Sequence, residues 1–287
     1  MSLHILLLVL SAAFLHALWN LLAKKAGGKT AFIWLQYAAG SLLFLPFLLF
    51  QTDQLITVKW ELLLWFSLSS ALLHIAYFMV LQKGYRSADL SVVYPLARGS
   101  GPLFSSVAAI LFLHEKFKLS ATVGLLLIIT GVLIITGIRF KKEKDTRVTQ
   151  GVIYGVLTGI FIAMYTLNDA VAVKTYALAP LTLTLFTNLF STFLLAPFVW
   201  RQSMELKREL RAHKWQIIGV GVLSPVAYIL VLIALKYSPL TVVAPARETS
   251  ILMGVFMGSR VLGEENSKRR LLAAVLILSG IIALSFY

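Results

Sequence analysis

Cysteine is absent from the 287 residues, and acidic residues are few: 12 Asp+Glu stand against 26 Lys+Arg. Zero cysteine excludes a disulfide framework and any thiolate chemistry. Charged residues make up only 13% of the chain, where soluble globular domains carry about 25%. That is too little polar surface to wrap a water-soluble body of this length. No Gly-x-x-x-x-Gly-Lys-Ser/Thr loop, Gly-x-Ser-x-Gly elbow or His-Glu-x-x-His pair occurs. The five histidines (His4, His16, His74, His114 and His213) are scattered without metal-ligand spacing. These absences argue against ATP drive, a metal site, a cofactor and an enzyme.

What is present is apolar: 59% of the residues are hydrophobic, which also excludes disorder. A membrane-spanning helix needs about 20 such residues. Ten stretches qualify: 3–23, 30–50, 60–82, 91–113, 119–138, 150–172, 180–200, 215–235, 241–259 and 271–287. The first lacks a basic stretch before it and is as long as the others, so it reads as a retained helix rather than a leader. The expected fold class is an all-α polytopic membrane protein.

The surplus of basic residues then acquires a meaning. One alternating set of loops holds 19 Lys and Arg, the other holds Lys59, Lys116, Lys118, Lys174 and Lys236, and Arg98 and Arg247 fall inside spans. Basic loops stay on the cytoplasmic side. The expectation is therefore 19 cytoplasmic charges, with both termini outside. A nucleic-acid partner is excluded, because the cations are spread over five short loops. The lipid bilayer is their expected partner.

The two halves repeat each other. Ser91-Val92-Val93-Tyr94-Pro95-Leu96-Ala97-Arg98 parallels Thr241-Val242-Val243-Ala244-Pro245-Ala246-Arg247, with one residue skipped. His114-Glu115 parallels Gly263-Glu264, and Ala76-Tyr77 parallels Ala227-Tyr228. Five spans per half is an odd number, so the second copy enters the membrane inverted. The expected organisation is a first repeat at 1–138, a cytoplasmic linker at 139–149 and a second, inverted repeat at 150–287.

Ala17-Leu18-Trp19-Asn20, Tyr94-Pro95-Leu96-Ala97-Arg98-Gly99-Ser100-Gly101-Pro102, Glu115, Ala244-Pro245-Ala246-Arg247-Glu248 and Glu264 resemble the drug/metabolite transporter superfamily, EamA type, over essentially the whole chain. The resemblance implies a secondary transporter in a bacterial inner membrane. It implies a small-metabolite substrate, often an exported amino acid; since relatives move sugar phosphates or lipid-linked sugars, a lipid-linked sugar flippase or a sugar-phosphate transporter, with the two arginines meeting phosphate, is the alternative. A multidrug cation exporter is a weaker reading, since the first span has no acidic residue. Some members of the superfamily have cytoplasmic termini, whereas the charge count here puts them outside.

Candidate site residues follow from what is costly in a membrane. Pro95, Gly99, Gly101 and Pro102 in the fourth span, and Pro245 in the ninth, read as helix breaks in corresponding positions of two repeats. Arg98 and Arg247 are repeat-related and offer planar forks for a carboxylate or phosphate, or a structural ion pair with Glu248 or Asp169. Asp169 and Glu248 are candidates for gating or for carrying protons. Trp19, Tyr77, Tyr94, Tyr165 and Tyr228 lie mid-span, where a polar ring edge needs a partner or a cavity. With His74, Asn20 and Asn168 they describe an aromatic substrate cavity carrying a few hydrogen-bonding groups. The chain is expected to act as a monomer by alternating access, on a substrate or proton gradient.

Overall fold

The computed structural model describes residues 3–51, 56, 58–113, 119–136, 146–238, 243, 246–264 and 267–285. The first half supplies α1 (Leu3–Ala26), α2 (Thr30–Phe44), α3 (Trp60–Ser87), α4 (Leu90–Leu113) and α5 (Leu119–Thr136). The second supplies α6 (Thr146–Lys174), α7 (Pro180–Trp200), α8 (Ser203–Tyr237), α9 (Ser250–Leu262) and α10 (Ser267–Ser285). Among the described residues there is no strand. The protein is an all-α polytopic membrane protein built from ten helices in two halves.

Local chemistry explains several ends. Pro46 cannot donate to the α-helical ladder, and the chain tightens there into the 3-10 segment Leu45–Gln51. Pro180 opens α7 at a position where its missing N–H costs nothing. Gly263, at φ 67°, closes α9 in the left-handed conformation. Among the described residues, six helices are long and apolar enough to cross a bilayer by themselves: α1, α2 with its extension, α3, α6, α7 and α8. Their exposed apolar side chains, such as Leu42 and Phe193, face outward as lipid contacts would require.

Two expectations are corrected. The basic stretch 201–214 is not a plain loop: most of it is the start of α8, set off from the apolar part by a kink at His213 (φ −128°, ψ 25°). Polar helical segments of this kind carry no apolar-run signal. The second correction concerns the fourth helix. α4 runs from Leu90 to Leu113 as one helix through Pro95, Gly99, Gly101 and Pro102, so no interruption occurs there. Pro95 forfeits the single backbone bond to Ser91, and the helix continues on either side. In the second half the chain turns at Glu248–Thr249 before α9 begins at Ser250. Pro245 lies outside the described residues.

The halves interlock instead of lying side by side. α1 packs on α8, as α6 packs on α3; α2 packs on α8, as α7 packs on α3; α4 packs on α6, as α9 packs on α1. Each contact recurs with the halves exchanged, as a two-fold relation demands. α5 packs against α10 around Ile128, Ala273 and Ile277. At the α2–α8 crossing the backbones nearly touch. A Cβ on Gly40 would come within 2.8 Å of the Gly221 carbonyl, and one on Gly221 within 2.8 Å of the Gln36 carbonyl. Small residues at such crossings let helices pack by van der Waals contact, the main attraction available in lipid. Gly221→Val is expected to destabilise the chain by about 1–3 kcal/mol, read as a lowered unfolding midpoint in detergent. An unchanged midpoint would mean that the crossing has slack.

Candidate functional site

The interlock brings α1, α2, α3, α6, α7 and α8 around one aromatic cluster. His74 stacks on Tyr165 with ring centroids 4.1 Å apart and an interplanar angle of 28°. Tyr77 and Tyr228 meet Tyr165 edge-on at 5.5 and 5.9 Å. Phe78 links this group to Trp19 at 5.3 Å and to Tyr37 at 5.5 Å. Edge-to-face pairs of this kind place positive ring edges against negative faces. Trp19 and Tyr165 come from the first helix of each half, and Tyr77 and Tyr228 from the third. The repeat therefore converges on one cavity, closed in by the rings. Its volume, as room for the centres of water molecules, is about 40 Å³, enough for a few waters.

Asp169 forms one wall of that cavity and is buried. Its Oδ2 accepts from the Tyr228 hydroxyl at 2.7 Å and from Ser70 Oγ at 3.0 Å, and its Oδ1 accepts from Asn168 Nδ2 at 2.9 Å. All three donors are neutral. Asn168 itself turns toward α3, where its Oδ1 accepts from Ser69 and its Nδ2 donates to the Phe66 carbonyl. It therefore orients Asp169 and does not line the cavity. Asn20 likewise sits aside, accepting from Tyr85 at 2.6 Å and donating to the His16 carbonyl. Tyr94 lies against Gly254 on α9, away from the cavity lining.

The repeat-related arginines meet over a single carboxylate. Arg98 Nε lies 2.9 Å from Glu248 Oε2, while Arg247 Nε and Nη2 both lie 3.0 Å from Glu248 Oε1. All three residues are buried, at 4%, 7% and 1% exposure. The cluster thus keeps one positive charge beyond what Glu248 neutralises. Arg98 Nη2 has no hydrogen-bond partner among the described residues. Tyr165 lies within electrostatic reach of Arg98, Arg247, Glu248 and Asp169 together. The centre is therefore dipolar: a cationic group of three residues, a lone carboxylate, and aromatic rings beside both.

A family model of EamA-like transporters matches residues 3–137 and 149–286. The chain belongs to the EamA-like transporter family. A Bacillus subtilis (strain 168) protein named uncharacterized transporter YvbV is 33% identical over 147 residues. That match takes in 48% of this chain and 46% of the Bacillus protein, so the chain spans under half the length of this relative. A solved structure described only as a crystal structure of a protein superimposes with a TM-score of 0.60 at 13% identity. It covers 99% of this chain and 96% of its own, which is a likeness of fold.

Several residues of this EamA-like site were not singled out from the sequence. Thr184, Thr187 and Asn188 on α7 line the cavity, as do Tyr37, Ser224 and Pro225. The α7 residues recur at helical spacing, a polar stripe in an apolar span that the sequence does display. Glu264, a mark of both the repeat and the resemblance in the sequence, has a structural role. It takes Leu90 N at 2.7 Å, Ser91 N at 3.0 Å and the Ser91 hydroxyl, so it caps α4 from the opposite half. Arg270 bonds Ser91 and Asp89 beside it, and Lys24 donates to the Tyr85 and Ala88 carbonyls. Glu264 and Arg270 tie the halves together, and Lys24 ties α1 to the end of α3, at the end carrying most of the Lys and Arg, here called the basic face.

Two measurements follow. Glu248→Ala leaves two buried guanidinium charges facing each other and is expected to cost about 3–5 kcal/mol in stability. Arg98→Ala keeps the Glu248–Arg247 pair and should cost less; the reverse order in denaturation would refute a shared carboxylate. Glu264→Ala is expected to speed thiol modification of an introduced Ala97→Cys from the basic face about tenfold, since each tenfold needs only 1.4 kcal/mol of lost closure. An unchanged rate would show that the network does not hold that end shut.

Proposed function

We propose that the protein is a secondary transporter that exports small zwitterionic metabolites, amino acids above all, by alternating access. The observation that carries this reading is the dipolar centre. A cationic Arg98–Glu248–Arg247 group suits a carboxylate. The Asp169 carboxylate, held by neutral donors only, suits an ammonium group. The rings of Trp19, Tyr77, Tyr165 and Tyr228 suit an apolar or aromatic side chain between them. Asp169 is also the residue that would couple the cycle to a proton gradient.

Alternating access is supported by the arrangement of the closures. Glu264, Arg270 and Lys24 tie the basic face, while at the opposite end a cavity of about 480 Å³ opens among Lys59, Tyr176, Thr182 and Lys236. The aromatic rings must part for a substrate to enter, since the space among them holds only a few waters. Exchange of the two halves' conformations would close one end and open the other. In the proposed setting, a bacterial inner membrane, the basic face is cytoplasmic and both termini are outside. A monomer contains both halves and needs no partner chain.

A second reading rests on Asp169 alone. A carboxylate beside stacked aromatic rings also fits an organic cation, with the arginine group then serving only to join the halves. Counterflow in liposomes separates the two. With a panel of amino acids, sugar phosphates and organic cations, amino acids are expected to exchange. Arg98→Ala, Arg247→Ala, Tyr77→Ala and Tyr165→Ala should each lower exchange about tenfold or more, the loss expected for a contact worth over 1.4 kcal/mol. Exchange of cations alone, unaffected by the arginine changes, would favour the second reading. Exchange of none of the panel would overturn both.

A further inference from the structure

The first three turns of α8 form a basic arm that the transport cycle leaves unused. Met204, Lys207, Arg208 and Arg211 recur at i, i+3, i+4 and i+7 and so share one face of the helix. All four are exposed, and with Ala212 they line a groove on the surface. The opposite face is turned inward. Leu206 packs against the apolar core, and Glu209 lies within electrostatic reach of Arg86 and Lys29. Glu209 is thus shared among Arg86, Lys29 and Arg208, and no carboxylate lines the groove. Three cations stand together there with nothing of opposite charge among the groove residues.

The flanks of the arm say where it sits. Trp200, at the end of α7, is 85% exposed, and Trp215, just past the His213 kink, is 71% exposed. Exposed tryptophans belong at the level of lipid headgroups, with the ring in the acyl boundary and the N–H in the wet layer. Met204 adds an exposed apolar side chain on the basic face itself. The kink turns the polar arm away from the apolar part of α8, as an interfacial helix requires. We propose that the groove of Lys207, Arg208 and Arg211 is a binding site for the phosphate headgroup of an anionic phospholipid. Three cations on one helix face give it a preference for charge that a zwitterionic headgroup does not satisfy.

The test uses the full chain in detergent, titrated with phosphatidylglycerol or phosphatidylcholine, with bound lipid counted by native mass spectrometry. The wild-type chain should hold phosphatidylglycerol at least about tenfold more tightly than phosphatidylcholine. Lys207→Gln, Arg208→Gln and Arg211→Gln together should remove that preference, a loss of about a hundredfold for three cations. A charge-matched control, Lys25→Gln, Arg260→Gln and Lys268→Gln, should keep it. If the triple variant does not fold, Arg211→Gln alone is read, with about a fivefold loss expected. Equal binding of the two lipids by the wild type, or an equal loss in the control, would overturn the site. Displacement of the lipid by soluble glycerol phosphate at the same concentration would overturn the lipid assignment, because the groove would then be reading free phosphate.

Discussion

One carboxylate holds the centre of this protein together. Glu248 faces Arg98 from the first half and Arg247 from the second, so the equivalent cations of the two repeats are kept apart by a charge that belongs to only one of them. Two buried guanidinium groups would repel strongly in a low-dielectric interior. With Glu248 between them, α4 can pack on α9, and α9 can pack on α1. The symmetry of the repeat is broken at this point, and the break leaves the cluster one net positive charge.

That residual charge and Asp169 both lie within electrostatic reach of Tyr165, but only Asp169 lines the cavity; Arg98, Arg247 and Glu248 stand outside its lining. The two charges do not meet: Asp169 is satisfied by Tyr228, Ser70 and Asn168, while the arginines pair with Glu248. Aromatic rings fill the ground beside them. A site of this kind is costly to maintain empty, because a buried carboxylate with only neutral donors lacks a cation. In the proposed cycle, a substrate ammonium group would supply that cation.

Much of the fold is legible without coordinates. Length, hydrophobic runs and the distribution of Lys and Arg lead to ten helices in two halves, because a bilayer admits few alternatives. The repeat-related pairs Trp19 with Tyr165 and Tyr77 with Tyr228 are legible for the same reason: mid-span polar rings need a cavity. Other parts are not. Proline and glycine in α4 look like a break, yet the helix runs on; the turn comes at Glu248–Thr249. The helical arm at 203–213 is hidden because polar helices leave no apolar run. Glu264 looks like a family mark and proves to cap a helix of the other half.

The amino-acid sequence alone determined what must be buried in lipid and which residues are expensive there: four intramembrane charges and a set of mid-span rings. Burial cost is a property of each residue type, so it can be read one position at a time. Only the tertiary structure decided who partners whom. Arg98 takes Glu248 and leaves Asp169 to Tyr228 and Ser70; Asn20, Asn168 and Tyr94 stand aside from the cavity; Thr184, Thr187 and Asn188 line it. Pairing depends on which helix faces come together from residues distant along the chain. That is set by the interlock of the two halves, where backbone carbonyls and glycines approach within a few ångströms, and no single stretch of sequence contains it.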